Sequence, residues 1–241
     1  MNTSGWSWQK TGGTVEWFLR ADAANLQEWV TRRGSRLVWL CVAAIATGAG
    51  AYGAVMGCWW AVLQAFYVAL KLPLLLLLTT LGNGLLNAML APLLGLNISL
   101  RDSLAAVLVS FAVTGLILGA LSPVALFVVW NTPPLQAATR ETALEYGFLQ
   151  LTHVAFIAVA GVMGNVRLAP LLRQWTDRPL VAHRVLFAWL AGNLFLGSQI
   201  CWVLRPFIWD PGRPVEFIGR NCFQGSFYET IFNAARRLLF S

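Results

Sequence analysis

Apolar and polar positions alternate along this chain in blocks rather than in stripes. Five stretches, Leu37 to Gly57, Leu72 to Leu96, Leu104 to Trp130, Ala143 to Val166 and Val185 to Leu204, hold no Asp, Glu, Lys or Arg except Glu145. A helix needs about 20 mainly apolar residues to cross a bilayer core, so the pattern predicts about five transmembrane spans. Lipid offers backbone amides no partner, which makes the spans helices. The expected fold is therefore all-α, a polytopic transmembrane helix bundle.

Polar segments at the two ends predict different structure. In the first 36 residues Val15, Phe18, Leu19, Leu26, Trp29 and Val30 recur at helical spacing, with Glu16, Arg20, Gln27 and Glu28 on other faces. That pattern gives an amphipathic arm over residues 1–36. After the bundle (37–204), a tail over 205–241 opens with Pro206, Pro211 and Pro214, which forbid a continuous helix. It closes with Ser226 and Glu229 spaced as a capping box, followed by the stripe Phe227, Ile231, Ala234 and Leu238. Each amphipathic helix has an apolar face to cover, in the headgroup layer or on another protein.

Charge sets the expected orientation. Lys10, Arg20, Arg32, Arg33 and Arg36 precede span one, and Arg167, Arg173, Arg178 and Arg184 lie between spans four and five. The competing segments carry only Lys71 and Arg140. The positive-inside rule then puts the N-terminus in the cytoplasm. Arg32, Arg33, Arg36, Arg167 and Arg173 are the expected contacts to anionic lipid headgroups. Arg205, Arg213, Arg220, Arg236 and Arg237 in the tail pull the other way. That tension would vanish if span two, interrupted by Pro73, Gly82-Asn83-Gly84 and Pro92, were re-entrant.

Composition agrees with a membrane location. Of 241 residues 58% are hydrophobic and 11% charged, against about a quarter charged in soluble domains. The net charge of +7 is read as lipid-facing, since no polar domain with clustered basic and aromatic residues offers a nucleic-acid surface. Trp39, Trp59, Trp60, Trp130 and Trp202 stand at span boundaries, where aromatic rings settle at headgroup depth. Cys41 and Cys201 fall inside spans as small hydrophobes, and Cys58 could pair with Cys222 only if both face an oxidising compartment.

Within the spans, small residues mark close helix contacts: Ala46, Gly50, Gly53 and Gly57, then Gly115 and Gly119, then Ala160 or Gly161 with Gly164. Uncharged polar residues share such faces. Asn83, Asn87, Gln150, His153 and Asn193 form the candidate interior polar face, as register pins or as the lining of a pocket. His153 is the one histidine inside a span, so a bis-histidine haem site is not provided. No catalytic or metal-ligating set is expected. Proton-coupled transport would want intramembrane charge, intramembrane proteolysis a nucleophile motif, an aspartate pair or a His-Glu-x-x-His helix, and nucleotide hydrolysis a Gly-rich phosphate loop.

The stretches Tyr52 to Gly57 and Lys71 to Leu75, with Arg205 to Ile208, Pro211 to Phe217 and Phe227 to Glu229, resemble an uncharacterised family of bacterial multi-pass membrane proteins. The resemblance covers most of the chain from span one onward, implies a bacterial inner membrane, and transfers no activity. A more distant likeness to Yip-type five-helix membrane proteins rests on helix count and topology, without that family's acidic-aromatic signature. The leading expectation is a non-enzymatic subunit, a scaffold or accessory component working with other membrane proteins. Two alternatives stand beside it: a passive or lipid-directed transporter using the interior polar face, and a pigment- or cofactor-binding subunit using His153, whose cofactor the sequence leaves unknown.

Overall fold

The computed structural model describes residues 23–133, 140–176, 178–204, 215–218, 223 and 225–240, with 23–34, 140–143 and 237–240 described as backbone. Those residues form helices and no strand: α1 (Ala23–Cys58), α2 (Val62–Leu93), α3 (Leu100–Asn131), α4 (Arg140–Val166), α5 (Leu168–Trp175), α6 (Pro179–Leu204) and α7 (Phe227–Phe240). Five segments, Ser35–Cys58, Val62–Leu93, Leu100–Asn131, Leu144–Trp175 and Pro179–Leu204, are long and apolar enough to cross a membrane. The fold is an all-α helical bundle.

Two expectations about boundaries change. Span two does not break at its prolines: α2 runs unbroken from Val62 through Pro73 and Pro92, about 48 Å at 1.5 Å per residue. It therefore has ample length to cross, and it takes Lys71 into the span. At the other boundary, α1 passes residue 36 without interruption, so the end of the arm and the first span are one helix. Val15, Phe18 and Leu19 lie outside the described residues, as do the side chains of Leu26, Trp29, Val30, Arg32 and Arg33.

Glycines bring the central helices together. A Cβ on Gly119 would lie 2.9 Å from the Gly48 Cα, and one on Gly115 would lie 3.1 Å from the Ile45 Cα. These contacts pair α1 and α3 backbone to backbone, parallel and in ascending register. Gly53 and Gly57 do the same for α1 against Val68 and Ala65 of α2, here antiparallel across the three-residue turn Trp59 to Ala61. Gly164 meets Ser110 and Thr114, seating α4 on α3, and Gly197 meets Thr79, seating α6 on α2. In lipid, where apolar surface alone gives no drive to associate, such close approach is what holds helices together.

The small-residue stripes are only partly as expected. Ala46 is exposed and the contact residue is Gly48; Ala160 and Gly164 face inward, while a Cβ on Gly161 would meet nothing within 4 Å. Trp39 and Trp130 are exposed, as boundary rings should be. Trp59 instead is buried, and its indole N–H donates to the Thr132 carbonyl at 3.3 Å, stitching the α1–α2 turn to the end of α3.

At one end of the bundle α5, with Leu168, Leu171 and Leu172 buried, folds back against α6 and touches α1. The exposed Arg36, Arg101, Arg167, Arg173, Arg178 and Arg184 stand at this same end. At the other end α7 lies on α4 and α6, capped by Ser226, whose hydroxyl accepts from the Glu229 amide at 3.2 Å. Its inward stripe has Ala234 buried with Phe227 and Ile231 half-buried, and Ser198 of α6 donates to the Tyr228 hydroxyl at 2.8 Å. The Leu238 side chain and the proline segment 205–214 lie outside the described residues.

Candidate functional site

The five residues of the expected polar face separate into two groups. On α2, Asn83 and Asn87 stand one turn apart, both fully buried, and Asn83 faces α6. Asn83 donates its carboxamide N–H to Asn193 Oδ1; Asn193 donates in turn to Asn165 Oδ1. Asn165 ends the relay on its own helix, donating to the Gly161 carbonyl at 2.8 Å. Three helices, α2, α6 and α4, are thus joined by a directed run of three carboxamides.

His153 belongs elsewhere. It lies twelve residues before Asn165 on α4, about 18 Å along the axis, and its Nδ1 is 2.8 Å from the Tyr52 hydroxyl of α1. The two rings meet edge to face with centroids 5.6 Å apart. Gln150, a turn further along α4, is half-buried. The five residues accordingly do not line one common pocket.

Several polar atoms in the interior have no hydrogen-bonding partner among the described residues. They are Asn83 Oδ1, both amide atoms of Asn87, the indole nitrogen of Trp189, Ser110 Oγ and His153 Nε2. Such atoms are costly in a lipid-embedded core. Asn83 and Asn87 stand on α2 and Trp189 on α6, whereas Ser110 lies on α3 and His153 on α4.

Sequence reasoning missed three contributors. Asn165 and Tyr52 each stand inside an apolar run, and an isolated amide or phenol in such a run was the available signal. Lys71 is the third. Set at the edge of span two in the sequence reading, it is fully buried nine residues into α2. Its ammonium donates to the Glu216 carbonyl at 3.4 Å and sits 5.2 Å from the centroid of Phe217 and 6.0 Å from that of Tyr67. Tyr67 and Phe217 themselves meet edge to face at 5.5 Å. The lysine clamps the short segment 215–218 onto the bundle.

Among the described residues no group of three or more His, Cys, Asp or Glu is placed to hold a metal ion. Cys58 is an exposed free thiol, and Cys222, its candidate partner, lies outside the described residues. No family model matches the chain, and neither a curated protein nor a solved structure matches it.

Proposed function

We propose that this chain is a non-enzymatic subunit, a scaffold or accessory component, of a larger complex in a bacterial inner membrane. The observation that carries the reading is the outward face of α4. Ala155 and Ala158 are exposed there, and Gly161, at the next step of the same ridge, has open space where a Cβ would be. Small residues facing inward on this protein are covered by its own helices. A small ridge left facing outward offers a second protein's helix the same backbone-close approach.

Charge supports the orientation. The exposed Arg36, Arg101, Arg167, Arg173, Arg178 and Arg184 gather at one end of the bundle, which the positive-inside rule assigns to the cytoplasm, together with the N-terminus. The same arginines suit anionic headgroups.

The test is recovery of partners from native membranes in mild detergent, with Gly161→Leu and Ala158→Phe as variants. Stable companions that are lost from both variants, while each variant still purifies as a folded protein, are the expected result. A wild-type chain that runs alone, or companions retained by both variants, would sink the reading.

A further inference from the structure

The α2–α6 interface holds more uncompensated polarity than packing explains. The two helices are antiparallel, with Thr79 beside Gly197 (3.7 Å from a Cβ placed there to Thr79 Cγ2) and Asn83 beside Gly192 (3.2 Å from its Cβ to Asn83 Oδ1) and Asn193. Continuing that register by one turn sets Asn87 across from Trp189. Both are fully buried. Four unpartnered atoms therefore fall on one interface: Asn83 Oδ1, Asn87 Oδ1 and Nδ2, and Trp189 Nε1. They comprise two acceptors and two donor groups on neutral side chains. A register pin needs only the Asn83, Asn193 and Asn165 relay; Asn87 and Trp189 add nothing to it.

We infer that this interface is a binding site for small neutral molecules that both donate and accept hydrogen bonds, closed in the state described here. Water, or a small amide or polyol, has the chemistry to satisfy all four atoms. A charged ligand does not, because the lining side chains are carboxamides and an indole and supply no counter-charge. The opening is at the arginine-rich end. Asn87 is six residues, about 9 Å, from the last residue of α2, which gives way to Gly95 at φ +89° in the α2–α3 turn. Separation at this interface is favoured by the position of α6, the least buried of the five candidate spans. The proposal goes beyond the subunit role and does not depend on it.

The test is thiol accessibility in proteoliposomes of the full chain with Cys41, Cys58, Cys201 and Cys222 replaced by alanine. Only a hydrated thiol ionises and reacts with a polar methanethiosulfonate. Asn87→Cys and Gly192→Cys report on the site, and Ala106→Cys and Val113→Cys, buried on α3 six and thirteen residues from its start, are their respective depth-matched references. Both reporters are expected to react roughly tenfold faster than their references, or more, because burial in apolar surroundings suppresses the thiolate. A disulfide between Thr79→Cys and Gly197→Cys, tying α2 to α6, is expected to abolish that excess. Slowing by molar acetamide or glycerol would place such solutes in the site, and unchanged rates would assign it to water. If both reporters react no faster than their references, or if the crosslinked protein reacts as fast as the open one, the inference is wrong. Should Asn87→Cys fail to fold, Gly192→Cys decides alone.

Discussion

Two glycines of this chain make opposite demands. A Cβ on Gly48 would run into the carbonyl of Gly115, which is backbone and cannot swing aside, whereas one on Gly161 meets nothing. Gly48→Leu is therefore expected to cost about 1–3 kcal/mol or to prevent assembly, and Gly161→Leu to stay within about 0.5 kcal/mol. Reversible unfolding in mixed micelles measures both. The pair Tyr52 and His153 makes a subtler case. A double-mutant cycle with Tyr52→Phe and His153→Leu is expected to return a coupling near 0.6 kcal/mol, at most about 1.7, since hydrogen bonds between membrane helices are modest. At this scale the sequence was ambiguous for a definite reason. A glycine- and alanine-rich helix carries more than one small stripe, and spacing alone did not separate Gly48, which touches α3, from Ala46, which is exposed.

Among the elements, the spans themselves were legible, because hydrocarbon thickness imposes a length and a polarity that few other structures share. Their ends were less so. The apolar run begins after Lys71 when charge is taken as the boundary, yet α2 begins at Val62, and what compensates the lysine includes Glu216, 145 residues away along the chain. No local pattern encodes that contact. Lys71→Met keeps an unbranched stem of similar bulk and removes the donor. The bundle is expected to survive, while the segment 215–218 loosens and becomes more readily cut by protease in intact proteoliposomes. The terminal helix offers a cleaner comparison. Ser226 was readable as a cap and is one, so Ser226→Ala should cost α7 about 1 kcal/mol, seen as faster amide exchange in α7 with α3 unchanged.

For the molecule as a whole, the gathering of exposed arginine at one end and the presence of five crossing-length helices make the proposed orientation testable. Alkaline phosphatase fused after Ser241 is expected to be active, and a fusion in the turn between α5 and α6 inactive; the reverse pattern would invert the assignment. The candidate site was legible only in its parts. Asn83, Asn87 and Asn193 stand out as amides in apolar runs, but their grouping with Trp189 and Asn165, and the exclusion of His153 from that group, depend on which helices are neighbours. That is a property of three-dimensional packing between segments far apart in sequence, which periodicity within one helix does not contain.

The Lys71 clamp also bears on how the protein is made. The first two helices can leave the ribosome as a nearly finished hairpin, joined by three residues and matched by Gly53 and Gly57. At about 5–20 residues per second, the carbonyl and ring that later receive the ammonium emerge many seconds afterwards, since 145 residues of chain separate Lys71 from Glu216. Throughout that interval the ammonium lacks that carbonyl and that ring, so α2 is expected to settle at its final depth once the tail arrives.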